Sequence, residues 1–116
     1  MSREELKERI IQYVKENPGV TYPALERFFE SIGYDYTGSA EACSSACEHV
    51  VFWDGWSREA FGLLAELIRE QKIKREPSPF WAYLMDGACM ELPRFEGTNY
   101  RQLRTDKWLP VWFVVA

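Results

Sequence analysis

Apolar residues recur at helical spacing in three stretches of the chain, which predicts three main helices. The apolar stripes are Leu6, Ile10, Tyr13 and Val14; then Leu25, Phe28, Phe29 and Ile32; and then Ala60, Leu64, Leu67 and Ile68. Ser2, Thr21 and Ser57 stand where N-caps are expected, and Ser2 with Glu5 forms a capping box. We therefore expect helices near residues 3–16, 22–32 and 58–71.

Short apolar runs predict the strands. Residues 50–53 end at Asp54-Gly55, as a buried strand would, and residues 72–76 leave the third helix in extended form. Phe80–Met85 is apolar on both faces and predicts a further buried strand, and residues 108–115 predict the last one. Residues 34–49 are less regular, and a short helix is expected near 40–48. The polar residues 93–107, which we call the wing segment, lie between the last two predicted strands.

Composition limits the class of protein. With 116 residues, 47% of them apolar and 16% aromatic, the chain is expected to form a single domain over residues 1–116. No apolar run is long enough to span a membrane, and the start of the chain does not resemble a signal peptide. Three Cys are an odd number, which favours reduced thiols over a disulfide framework. We expect a cytoplasmic protein without a membrane partner.

The order of three helices followed by a two-stranded wing resembles the winged helix-turn-helix superfamily. The predicted fold class is therefore α+β and winged-helix-like, with three main helices and a small antiparallel sheet. Four runs also resemble short uncharacterised bacterial proteins, some of them labelled as proteins of pathogenicity islands or prophages: VVFWDGWS at 50–57, YLMDG at 83–87, LP at 92–93 and WLPV at 108–111. This resemblance implies an association with mobile elements and supplies no site residue.

Charge is unevenly distributed within the net charge of -4. Acidic residues dominate residues 1–56, so any contact with nucleic acid is expected in the second half. The candidate nucleic-acid-binding residues are Lys72, Lys74, Arg75, Arg94, Arg101, Arg104 and Lys107. The outer face of the third helix mixes Arg58 and Arg69 with Glu59, Glu66 and Glu70, which favours a solvated face over base recognition.

These charges leave two classes of partner open. Duplex DNA, contacted through the wing segment and the basic strand before it, is the first expectation. The alternative is a protein-interaction module of winged-helix type, in which the acidic half or an edge strand docks a protein and no nucleic acid is bound. The pattern does not indicate an oligomeric state.

Motifs for chemistry are weak. Cys43, Cys47, His49 and the distant Cys89 have poor spacing for a zinc site, and cysteines four apart on a helix are more simply explained by burial. With a single His, scattered Gly and no nucleophile elbow, we predict no catalytic residue, no metal and no cofactor. The aromatic residues Trp53, Trp56, Trp81 and Tyr83 are expected to fill the core and not to stack on bases.

Overall fold

Four helices and five strands make up the fold in the computed structural model, which describes residues 1–96 and 99–116. In chain order the elements are α1 (Arg3–Glu16), α2 (Tyr22–Ser31), β1 (Thr37–Cys43), β2 (Val50–Trp56), α3 (Arg58–Arg69), β3 (Ile73–Pro77), α4 (Phe80–Met85), a 3₁₀ turn (Tyr100–Gln102), β4 (Lys107–Trp108) and β5 (Val111–Val115). The α+β class is confirmed.

The three predicted helices are confirmed together with their caps. The hydroxyl oxygens of Ser2, Thr21 and Ser57 each accept a hydrogen bond from the backbone N–H three residues later. The third helix ends at Arg69, two residues before the predicted end, because Gln71 adopts a left-handed conformation with φ of 61°.

The strands form two sheets, so the expectation of one small antiparallel sheet is wrong. In the first sheet β3 pairs antiparallel with β5, from Ile73 opposite Val115 to Pro77 opposite Val111. Val20, between α1 and α2, bonds to Phe113 on the other edge of β5. The second sheet has the order β1-β2-β4, in which β1 and β2 are antiparallel and β2 and β4 are parallel.

Residues 108–115 are therefore not one strand. Trp108 belongs to β4, and Val111 begins β5 in the other sheet. Pro110 separates them, and because proline has no N–H it cannot donate to a ladder at this point. The chain crosses from one sheet to the other here.

Two further element predictions are wrong. Residues 37–43 form strand β1 where a helix near 40–48 was expected, because pairing with β2 satisfies the backbone of these residues. Cys43 and Cys47 consequently do not share a helix face. Phe80–Met85 is helix α4 and not a strand. A short run that is apolar throughout has no hydrophobic periodicity, so its sequence pattern does not distinguish a helix from a strand.

The core lies between α1, α2, α3 and the two sheets. As the helical stripes predict, Ala60, Leu64 and Leu67 are buried together with residues of α1 and α2, whereas Ile68 and Phe28 are only half-buried. Leu63, absent from the predicted stripe, is also buried. Within the two described ranges, no helix is both long and apolar enough to cross a bilayer.

Candidate functional site

The seven basic residues predicted to bind nucleic acid are spread over both sheets and the segment that precedes β4. Lys72, Lys74 and Arg75 lie immediately before or within β3. Lys107 begins β4, and Arg94 forms a parallel bridge with Trp108 of that strand. Arg101 lies in the 3₁₀ turn and Arg104 between that turn and β4.

Three of these cations are engaged within the protein. The guanidinium of Arg75 lies 4.2 Å from the ring centre of Phe52, and that of Arg94 lies 4.0 Å from the ring centre of Phe80. Lys74 forms an ion pair of 3.4 Å with Glu76. Part of the predicted basic surface is thus used in packing and local pairing.

Lys72, Arg101 and Arg104 are exposed. Across the described part of the chain, no carboxylate oxygen lies within 4 Å of these three side chains. Residues 97–98 of the wing segment lie outside the described residues. The start of the segment is tied to β4, since Trp108 donates its backbone N–H to Pro93 and accepts that of Phe95.

The outer face of α3 is partly occupied by ion pairs with α1. Glu66 lies 2.9 Å from the guanidinium of Arg3, and the Nζ of Lys7 lies 2.9 Å from Glu70. The hydrogen bond from Arg3 holds the pKa of Glu66 below its ordinary value. Glu66 of α3 and Glu70 just after it therefore connect this helix to α1.

Helix α4 exposes three large apolar side chains on one face. Trp81 is 61% exposed, Leu84 58% and Met85 79%, whereas Ala82 and Tyr83 on the opposite face are buried. Because residues three and four apart are neighbours on a helix, the three side chains form one patch, which we call the α4 face. The expectation that Trp81 fills the core is wrong, whereas Trp53, Trp56 and Tyr83 are buried as expected.

Several contacts hold α4 in place. The hydroxyl of Tyr83 donates a hydrogen bond of 2.6 Å to the carbonyl oxygen of Val111. Asp86, just after the helix, accepts from the hydroxyl of Thr21 and forms an ion pair of 3.0 Å with Arg27. The α4 face is therefore displayed by an anchored helix.

A cavity of about 300 Å³ lies between β2 and residues 89–92. Its lining residues are Trp53, Asp54, Cys89, Met90, Glu91 and Leu92, and we call it the acidic cavity. The ring of Trp53 also contacts Tyr83 of α4, with ring centres 5.6 Å apart. The indole N–H groups of Trp53 and Trp56 both donate to one carboxylate oxygen of Glu26 at 2.9 Å, which fixes this wall of the cavity.

The three cysteines are free thiols. Cys43 and Cys89 are exposed, and the thiol of Cys47 donates to the carbonyl oxygen of Tyr100. His49 pairs with Asp106 at 2.9 Å. Among the residues that the structure describes, no three His, Cys, Asp or Glu side chains are grouped so that they would hold a metal.

When the chain is compared with protein-family models, with curated proteins and with solved structures, nothing matches.

Proposed function

We propose that this protein is a protein-interaction module on a winged-helix-type scaffold and that the α4 face is its docking surface. The scaffold is supported by topology: α3 leads directly into β3, β5 returns beside it, and Val20 between α1 and α2 joins the far edge of β5. In this scaffold the β1–β2 hairpin separates α2 from α3, and α4 lies in the connection where a wing would be.

The observation that carries the proposal is the exposure of Trp81, Leu84 and Met85 on one anchored helix. Single exposed apolar side chains are normal, but a contiguous patch of them marks an interaction surface. Tryptophan and methionine are also enriched where proteins meet, and tryptophan contributes disproportionately to binding energy. Since the helix is already held by Tyr83 and Asp86, docking requires little further ordering.

The occupant that we propose is a different protein chain. The acidic cavity has Asp54 and Glu91 in its lining, and its residue Cys89 follows Met85 of the α4 face by four positions in the chain. The α4 face and the lining of the acidic cavity contain carboxylates and no basic side chain, so pairing this surface with itself would bring negative charge to negative charge without a cation to offset it, which is unfavourable. A partner with basic residues at the same place avoids that repulsion.

The test compares Trp81→Ser with Val115→Ser, because Val115 is also apolar and exposed, at 41%, but lies on β5. A partner isolated with the wild-type protein is purified and its affinity measured by calorimetry. We expect Trp81→Ser to weaken binding about tenfold or more, whereas Val115→Ser leaves it unchanged.

Equal affinities for the two variants would contradict the proposal. A wild-type protein that forms concentration-dependent dimers, which Trp81→Ser converts to monomers in sedimentation experiments, would instead identify a second copy as the occupant.

Nucleic-acid binding is the second candidate function. The observation that favours it is the exposure of Lys72, Arg101 and Arg104, for which the described residues supply no carboxylate within 4 Å. Exposed cations contact phosphates without reading sequence.

A further inference from the structure

We infer that the acidic cavity binds a lysine or arginine side chain of the partner that docks on the α4 face. This inference rests on the proposed function and adds the chemistry of the partner. It assigns the cavity a ligand class, namely a long cationic side chain with an apolar stem.

The lining of the cavity matches both halves of such a side chain. Trp53, Met90 and Leu92 offer apolar surface, and Asp54 and Glu91 offer carboxylates. Lysine and arginine bury their methylene stems on apolar surface while their charged heads stay among polar groups. A volume of about 300 Å³ is at the lower end of the range for ligand pockets, which suits one side chain better than a larger molecule.

A second observation also indicates a cation. Asp54 of β2 lies directly opposite Glu41 of β1, and like charges directly across a pair of strands are destabilising. Burial, followed by the nearby carboxylates of Asp106 and Asp54, raises the pKa of Glu41. In the part of the chain that the structure describes, no Lys, Arg or His nitrogen lies within 4 Å of the carboxylates of Glu41, Asp54 and Glu91. Asp54 and Glu91 line the cavity, and a cation bound there would offset their negative charge.

The cavity and the α4 face are close enough for one partner segment. Cys89 of the cavity follows Met85 of the α4 face by four residues, which span at most about 14 Å even when fully extended. Trp53 connects the cavity to the buried side of the same helix, since it lines the cavity and contacts Tyr83 of α4. The expected partner segment therefore combines apolar residues with a basic one nearby.

A divalent metal ion fits the cavity less well. Calcium takes six to eight oxygen ligands, and magnesium requires near-octahedral oxygen geometry. Two carboxylates among the side chains of Trp53, Met90 and Leu92 do not supply such a shell. An organic cation uses the apolar wall that a metal ion would leave unused.

The experiment titrates the isotope-labelled full chain with N-acetyl-lysine methylamide and observes the amide resonances of Asp54, Met90 and Glu91 by NMR. The control probe is the norleucine analogue, which has the same stem without the charge. We expect saturable shifts on the order of millimolar affinity with the lysine probe, and binding about tenfold weaker or absent with norleucine. Added salt should weaken the lysine response.

Matched variants test the carboxylates. The double variant Asp54→Asn and Glu91→Gln changes exposed side chains, so it should fold normally and lose the lysine response. Glu48→Gln removes an exposed acid that does not line the cavity and should keep that response. Equal binding of the two probes, an unchanged response in the double variant, or no saturable shift would each overturn the inference.

Trp81→Ser separates this inference from the proposed function, since Trp81 does not line the cavity. Failure of the lysine probe, together with a partner that still requires Trp81, would refute the cation site alone. Binding of the probe, together with a partner indifferent to Trp81, would refute docking on the α4 face.

Discussion

Leu64 and Leu84 are chemically identical residues with opposite surroundings. Leu64 in α3 is 1% exposed and lies in the core, whereas Leu84 in α4 is 58% exposed. Removing a buried leucine side chain loses both its transfer free energy and the contacts around the space it leaves. The cost of the same substitution should therefore differ greatly between the two positions.

We predict that Leu64→Ala lowers the free energy of unfolding by about 2–5 kcal/mol. Leu84→Ala should change it by less than about 0.5 kcal/mol, as is usual at surface positions. Chemical denaturation followed by tryptophan fluorescence measures both. Similar denaturation midpoints for Leu64→Ala and Leu84→Ala would mean that α3 is not packed as described.

At the scale of elements, Gly38 of β1 lies against the backbone where β2 ends and α3 is about to begin. A Cβ atom at Gly38 would lie 2.6 Å from the Cα of Ser57, which no real contact allows. Gly62 in α3 is the matched case, because a Cβ there would meet nothing within 4 Å. β1 can lie this close to the backbone of Trp56 and Ser57 only while residue 38 has no side chain.

Gly38→Ala should therefore destabilise the protein, since backbone and not a flexible side chain would have to move. Gly62→Ala should stabilise it by about 0.5–1 kcal/mol, because alanine has the higher helix propensity. Thermal unfolding of the two variants measures whether each change in stability has the predicted direction. A stabilising Gly38→Ala would show that β1 does not lie this close to the junction of β2 and α3.

The ion pairs between α1 and α3 predict a dependence on pH. The pKa of Glu66 is lowered in the folded state, chiefly by the hydrogen bond from Arg3. A carboxyl with a lowered folded pKa contributes stability above its unfolded pKa and loses that contribution as the pH falls through its folded pKa. Glu66→Gln should therefore be less stable than the wild-type protein at neutral pH.

This difference in the free energy of unfolding should shrink towards zero as the pH falls from about 5 to about 2. Denaturation curves across this range measure it. The control is Glu8→Gln, an exposed change in α1 at a residue for which the described chain contains no ion-pair partner. A pH-independent difference for Glu66→Gln would contradict the prediction.

Sequence reasoning succeeded where local signals agree with the fold. The caps at Ser2, Thr21 and Ser57 and the stripes behind them predict three helices because each signal lies within a few residues of what it determines. It failed at β1, where Ala40, Glu41 and Ala42 are helix formers that a distant partner strand holds extended.

The candidate site was harder to predict, for a different reason. In Phe80–Met85 every side chain is apolar, so composition alone does not separate the buried Tyr83 from the exposed Trp81. Once the run is known to be a helix, the three- and four-residue spacing of Trp81, Leu84 and Met85 defines the exposed face. The acidic cavity joins residues from β2 and from 89–92, a proximity without any local signal.

For the molecule as a whole, the net charge of -4 makes nucleic-acid binding depend on a few exposed cations. We predict that Arg101→Ala with Arg104→Ala weakens binding of duplex and single-stranded probes alike. The slope of log affinity against log salt should flatten by about 2, since two phosphate contacts are lost. Fluorescence anisotropy measures both quantities.

The control for this change is Lys15→Ala, which removes an exposed cation of α1. It should leave affinity and salt slope unchanged. If the wild-type protein binds neither probe at about 50 mM salt, where electrostatic attraction is strong, the second candidate function is wrong.

The crossing of residues 107–115 between the two sheets has a consequence for synthesis of the chain. β4 joins β2 in one sheet, and β5 joins β3 in the other, with Trp108, Val111 and Phe113 all buried. Neither sheet has its full set of strands until this segment has left the ribosome. A nascent chain arrested before residue 107 should therefore be cleaved readily by protease and bind chaperones through its uncovered apolar surface.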